Sequence, residues 1–392
     1  MDAQTLNPER VRRLVNRDRL LRTATRLVAV PSRTGDAGHA LDTLAAILKE
    51  EGFASRREAA GHPAAPAVLA RLDSGKPGRC LQFNGHLDVV HLPYVSPSVD
   101  GHRLKGSGAC DMKGGTAAAV EALFALHEGG LLKRGSVLFV GHDLHEAPWG
   151  LGQQLDELIR MGLHGDAVLI PEPLHNHLPV AGRGAATWKV SIRRSGPPVH
   201  EVMRPADEPD VITAGAELVG RLGALGRRLD SQYDPVAGRA SVFVGQIHAG
   251  EIYNQYPHEC ILEGTRRWLP DGDRRAVEAE FRGLLAELAR ERSVTVDCDW
   301  RHIRDAFRLD TAHPIVAAFQ AGHTALGGLP LETGPKLFVD DGNSFWGLAQ
   351  LPAITHGPRA GGQHTIDEWV DIDDMVRVAT LYALTAVAYL NG

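Results

Sequence analysis

Five residues far apart in this chain, His86, Asp111, Glu146, Glu172 and His364, are of the types that hold divalent cations. Two imidazoles and three carboxylates suit a pair of divalent ions held by nitrogen and oxygen. His86 ends Gln82-Phe-Asn-Gly-His86, just past an apolar run, and Asp88 two residues on could accept a hydrogen bond from the far nitrogen of its ring. Asp111, in Gly108-Ala-Cys-Asp111-Met-Lys-Gly-Gly, opens an alanine-rich helix, where a carboxylate meets the positive end of the helix dipole. Glu146 follows one apolar run, in Gly141-His-Asp-Leu-His145-Glu146, and Glu172 follows another, in Ile170-Pro-Glu172-Pro. His364 closes a glycine-rich loop, Gly357-Pro-Arg-Ala-Gly-Gly-Gln-His364-Thr-Ile-Asp-Glu368. Each segment alone has a plain reading as a loop histidine, a helix cap or a solvated carboxylate. Five of them in this order, each past a strand or at a helix start, are specific.

The elements that must position these residues follow from hydrophobic periodicity. Helices are expected over 18–28, 40–51, 116–127 and 153–161, and short apolar strands over 67–72, 80–84, 137–140 and 167–170. Strands alternating with helices predict a sheet covered on both faces. Near Gly182 the texture changes. Strand 185–193, helix 210–229, strands 240–247 and 260–268, helix 274–292 and strand 293–300 make a βαββαβ order, the split unit of a ferredoxin-like sandwich. The α/β texture then resumes with helix 314–326, strand 353–355 and helix 372–389. The predicted architecture is an α/β catalytic domain, residues 1–181 and 304–392, interrupted by an inserted domain, residues 182–303.

Composition narrows the class. The chain has 392 residues, 43% hydrophobic and 23% charged, with net charge −6. That balance does not favour binding to nucleic acid or to an anionic membrane. No apolar run is long enough to span a bilayer and no secretory leader is read near the N-terminus, where Arg10–Arg13 belong to a mixed-charge helix. Four scattered cysteines, Cys80, Cys110, Cys260 and Cys298, form no CxxC pair, so a reducing, cytoplasmic setting is expected.

These motifs resemble, over essentially the whole chain, the metal-dependent aminoacylase, acetylornithine deacetylase, succinyl-diaminopimelate desuccinylase and glutamate carboxypeptidase family. The resemblance implies a zinc-exopeptidase-like α/β/α catalytic domain with an inserted lid that also makes a homodimer. It implies that His86, Asp111 and Glu172 hold one ion, and that Glu146, His364 and the bridging Asp111 hold the other; the family metal is usually zinc, sometimes cobalt or manganese. It further implies that His200, in Gly196-Pro-Pro-Val-His200, reaches the reacting carbonyl oxygen. Asn254 and Arg267 would hold a substrate carboxylate, a task suited to a planar bidentate donor, with Arg266 a rival.

The chain departs from that family at two places. Relatives carry Glu-Glu where this chain has His145-Glu146, and the first Glu is the general base. His145 is expected to take over proton transfer: a free imidazole titrates near ~6.5, and nearby cations push it lower, leaving a neutral acceptor. Asp143 and His142 are substitutes for the role. Val339-Asp-Asp-Gly-Asn-Ser stands where relatives have Gly-Thr-Asp-Ala, which makes Asp340, Asp341 and Asn343 either pocket groups or a loop turn. The leading expectation is hydrolysis of an amide C–N bond in an N-acyl amino acid or small peptide. The alternatives are another C–N bond (amidine, carbamoyl or aryl amine) or a non-catalytic ligand-binding protein.

Overall fold

The computed structural model describes residues 7–392. It divides into two compact units. The first comprises the chain up to Val180 together with Leu309–Thr333 and Ser344–Gly392; the second comprises Ala181–Arg308 and Gly334–Asn343.

The first unit is built on a six-stranded sheet in the order Ser55–Glu58, Ala67–Asp73, Ser136–His142, Cys80–His86, Ala167–Ile170, Ala353–Thr355. The last four run parallel, and the first two add antiparallel at one edge. Parallel strands are buried on both faces, and Ser136–His142 and Ala167–Ile170 are buried at every position. Helices Gly114–Glu128 and Ile372–Asn391 are apolar almost all round, as helices inside a large core must be. Arg17–Val28 starts at Asn16, whose side chain accepts from the backbone N–H groups of Asp18 and Arg19.

The second unit is a four-stranded antiparallel sheet in the order Ser241–Ala249, Glu259–Trp268, Gly184–Arg193, Thr295–Arg304. Its two helices, Val211–Leu229 and Arg274–Arg292, begin at Asp210 and Asp273, whose carboxylates accept from the first free N–H groups. Gly184–Arg193 alternates buried and open positions over most of its length, so one face packs on the helices through Trp188, Leu218, Phe281 and their neighbours.

Two expectations need correction. Gly334–Asn343 belongs to the inserted unit, not to the catalytic one. Lys336 and Asp340 form a fully buried ion pair there, and Lys336 also lies over the ring of Phe307. Second, the 339–345 stretch is a loop only to Asp340: Asp341–Ala349 is helical. Asn343 is no pocket group, because its amide donates to the carbonyls of Arg183 and Asp305 at 3.1 and 2.7 Å.

Candidate metal centre

The four parallel strands all end at one side of the sheet, the position where α/β proteins gather ligands. His86 is the last residue of Cys80–His86, in register with His142 at the end of Ser136–His142, from which His145 and Glu146 follow. Glu172 stands two residues past Ala167–Ile170. Asp111 precedes helix Gly114–Glu128, in a stretch where its own backbone leaves helical angles (φ −123°, ψ 98°). The helix start is pressed onto the Glu172 segment: a Cβ on Gly115 would lie 1.9 Å from the Pro171 carbonyl oxygen. Only glycine allows that approach. His364 sits in the left-handed region at φ 59°, uncommon for a residue with a side chain and typical of strained functional loops.

These segments converge. His86 Nε2 is 3.2 Å from Asp111 Oδ1 and 3.5 Å from Glu172 Oε1. His364 Nε2 is 3.3 Å from Asp111 Oδ2 and 3.2 Å from Glu146 Oε2. Two donors each about 2.1 Å from one ion, at a tetrahedral angle, are themselves about 3.4 Å apart. All four separations match, and the two oxygens of Asp111 serve one cluster each. The donor set and its spacing therefore fit two divalent ions sharing Asp111. His86, Asp111, Glu146 and Glu172 are buried, whereas His364 is half exposed.

The electrostatics carry the same signature. Burial opposes charge on His86, but hydrogen bonds to Asp111, Asp88 and Glu172 outweigh it and hold the imidazole well above its usual range. Asp111 and Glu146 lift His364 to about 10. Burial, then the charge of Asp111, raises Glu172 to about 8. Crowded carboxylates that hold protons or protonated imidazoles mark a place built for cations.

Around the donors lies a layer that holds their backbone. The Asp88 carboxylate accepts from the N–H groups of His145 and Glu146, both at 3.0 Å. The far nitrogen of His86 lies 3.0 Å from the Asp88 main-chain carbonyl and 3.5 Å from its carboxylate, so Asp88 chiefly grips the next loop. Glu368 is buried and accepts from the N–H groups of Cys110 and Asp111 at 3.1 and 3.3 Å. Burial, then Asp111, lifts Glu368 to about 7. Lys113 is fully buried with its ammonium donating to the Val30 carbonyl at 2.9 Å; burial lowers it to about 7 against the attraction of Glu368 and Asp88. Sequence reasoning gave Glu368 and Lys113 no role, although Glu368 follows the candidate ligand His364 by four positions.

His145 stacks on His86 with ring centroids 4.0 Å apart and planes 4° from parallel, and its Nε2 is 3.6 Å from Glu172 Oε1. The two substitutes considered for its role are committed elsewhere. Asp143 is buried and accepts from Gly35, Ala37 and Leu144 N–H groups, with His62 3.2 Å away. His142 is buried with Nε2 3.2 Å from the Asn84 amide nitrogen.

The remaining predicted residues lie in the second unit. His200 Nε2 and the Asn254 side-chain amide are 3.0 Å apart. Arg266 is the buried one of its pair, bonded to Ser241 and Arg267 carbonyls and to Glu280, with its Nε buried and unpaired. Arg267 has a buried Nη1 with no partner, and so has Arg183 at Nε. Burial, then the charge of Arg267, lowers Arg183, so the two guanidinium groups feel each other. Sequence reasoning missed Arg183.

The model of peptidase family M20/M25/M40 matches residues 82–388. A succinyl-diaminopimelate desuccinylase of Gluconacetobacter diazotrophicus is 33% identical, over 93% of this chain and 95% of its own. The aminopeptidase PepT of Bacillus cereus superposes with a TM-score of 0.81 at 18% identity, covering 96% of this chain and 99% of its own. The YxeP protein of Bacillus subtilis, a dinuclear metal-binding peptidase of the M20 family, superposes with a TM-score of 0.72 at 18% identity, covering 96% and 98%. The fold is thus the α/β catalytic domain with a lid domain that those structures share. The chain belongs to peptidase family M20/M25/M40 and is a metal-dependent amide hydrolase of small acyl amino acids or peptides.

Proposed function

We propose that the protein removes an acyl group from a small carboxylate-bearing amino acid or peptide, using two divalent ions, zinc foremost. His86, Asp111 and Glu172 would hold one ion, and Asp111, Glu146 and His364 the other. The observation that carries this reading is the set of four donor separations between 3.2 and 3.5 Å with Asp111 shared. Bound there, the ions would polarise the scissile carbonyl and make a nucleophile of water at neutral pH.

The chain's own residues supply the rest. His145 is the proposed proton acceptor. A ligating imidazole keeps its ion in the plane of its ring, and two parallel rings 4.0 Å apart cannot both do so for one ion. Nε2 of His145, 3.6 Å from Glu172 Oε1, is therefore proposed to take a proton and return it to the leaving nitrogen, not to hold the ion. Asp88 fixes that imidazole through the His145 N–H. His200, hydrogen-bonded to Asn254, is proposed to stabilise the oxyanion that develops on the carbonyl. Arg267, with Arg183 beside it, is proposed to bind substrate carboxylate together with Asn254. Two desolvated guanidinium groups with unpaired N–H groups are costly without an anion.

Relatives that are succinyl-diaminopimelate desuccinylases, 28% and 33% identical, put N-succinyl amino acids first among candidate substrates. A homodimer formed through the lid unit and a cytoplasmic location complete the proposal. Four unpaired cysteines agree with that location, and no helix among the described residues is long and apolar enough to cross a membrane. The test is a panel of N-succinyl, N-acetyl and peptidyl amino acids, with carbamoyl and aryl-amine compounds alongside, on metal-loaded and chelated protein. Release of free amino acid only by the loaded protein is expected. Turnover that survives chelation refutes the reading.

A further inference from the structure

Each acidic ligand of the second ion has its backbone amide held by a buried carboxylate that is not itself a ligand. Asp88 does this for Glu146, and it takes the neighbouring His145 N–H as well. Glu368 does it for Asp111, and it takes the neighbouring Cys110 N–H as well. The third ligand of that ion, His364, lies on the same loop as Glu368. The turn between them is tight. Thr365 N–H donates to the Gly362 carbonyl at 3.1 Å, Thr365 Oγ1 accepts from Asp367, and a Cβ on Gly362 would lie 2.4 Å from the Asp367 carbonyl oxygen. The loop is fastened a second time where Gly106 N–H donates to the Glu368 carbonyl at 3.1 Å. The backbone of Asp111 is non-helical and that of His364 left-handed, so neither ligand is held by regular secondary structure.

We infer that Glu368 is a positioning residue for the second ion: it locks the Asp111 backbone to the loop that carries His364, and so sets the distance between two ligands 253 positions apart in sequence. The first ion shares Asp111 but has two further ligands, His86 at a strand end and Glu172 two residues past one, that this clamp does not touch, whereas the second ion has His364 on the clamped loop itself. Glu368 spends its carboxylate on the Cys110 and Asp111 N–H groups and is not among the proposed ligands, so its effect is expected in metal affinity and not only in turnover. The inference rests on the two-ion reading above.

The test is titration of the metal-stripped full chain with Co(II), followed by calorimetry and by the visible Co(II) absorption. Glu368→Ala should weaken one of two sites by about 10–100-fold, the range for lost outer-shell partners, and leave the other within about threefold. Glu368→Gln keeps an acceptor oxygen at the same reach and should restore the weak site to within a few-fold. Glu368→Asp keeps the charge but withdraws it by one methylene; it should show the same selective loss, and carries the test should Glu368→Ala not fold. Two wild-type sites in Glu368→Ala or in Glu368→Asp overturn the inference. So does a Gln variant as weak as a folded Ala variant, because charge and not placement would then be at work. A wild type that binds no Co(II) overturns the two-ion reading itself.

Discussion

Replacing Gly115 by Ala sets two effects of opposite sign against each other, and the structure decides between them. Gly115 is the second residue of helix Gly114–Glu128. In a helix, Gly→Ala removes backbone freedom from the unfolded chain and is worth up to about 1 kcal/mol in favour of folding. Here the new Cβ would stand 1.9 Å from the Pro171 carbonyl oxygen and 2.9 Å from Pro171 Cβ. Real contacts of that kind do not fall below 3.0 Å, so about 1 Å must open between the helix start and the segment bearing Glu172. Overpacking on that scale costs about 1–3 kcal/mol, which exceeds the gain. Asp111 and Glu172 lie on the two sides of the contact, so the same displacement spreads a ligand pair. Misplacement of about 1 Å costs on the order of 10² in rate. Gly115→Ala should therefore lower the melting temperature, at about 2–4 °C per kcal/mol, and lower Co(II) affinity and turnover together. Gly283→Ala is the matched control: Gly283 lies in helix Arg274–Arg292 with nothing within 4 Å of an added Cβ, and it should gain about 0.5–1 kcal/mol. The assays are thermal unfolding of both variants, metal titration and steady-state kinetics. A Gly115→Ala protein that is more stable than wild type and keeps both ions would refute the reasoning.

His145→Ala should slow turnover by about 10²–10⁴ with metal content unchanged, measured by single-substrate kinetics beside elemental analysis; full activity would remove His145 from proton transfer. Arg267→Ala should cost about 10–100-fold in kcat/KM toward carboxylate-bearing substrates and little toward their amides, as loss of a charge-assisted hydrogen bond implies; equal losses on both would reassign Arg267 to the fold. Metal-stripped protein should lose stability as pH rises from 7 to 10. His364, lifted to about 10 by Asp111 and Glu146, contributes fully below its ordinary 6.5 and loses that contribution as pH climbs through 10. Glu172, raised to about 8 by burial and Asp111, holds a proton that the unfolded chain releases near 4.5, and its loss acts in the same direction. Ions displace those protons, so the gap in melting temperature between loaded and stripped protein should widen with pH; a constant gap in scanning fluorimetry would contradict this.

The long elements were legible because their signal is local. Arg274–Arg292 and Ala167–Ile170 stand where the pattern puts them, since each carries its own apolar residues and the helix its own cap, Asp273. The five candidate metal residues could be picked out because the sequence puts each past an apolar strand or at a helix start. What escaped depends on partners distant in sequence. Ser98–Asp100, Arg103–Lys105, Ala360–Gly361 and Trp369–Asp371 form a small sheet whose strands are two or three residues long, too short to show a period. Asp341-Gly-Asn reads as a turn, yet it starts a helix whose Asn343 amide is consumed by carbonyls 38 and 160 positions away. Glu368 looked like an ordinary loop acid because the N–H groups it holds lie 257 and 258 residues earlier. The Asp88 carboxylate seemed meant for the neighbouring imidazole, and only the fold turns it toward Glu146.

The inserted unit also recruits Gly334–Asn343 from beyond its own continuous span, so the polypeptide passes between the two units four times. It is therefore no removable cassette. A graft or deletion cut only at 181 and 308 would strip Lys336, Asp340 and Asn343 of the groups that bury them, stranding an ammonium and a carboxylate in what remains. Any transplant of this lid, whether by recombination in nature or by a designer exchanging specificities, must carry both pieces of chain or fail by exposing that pair.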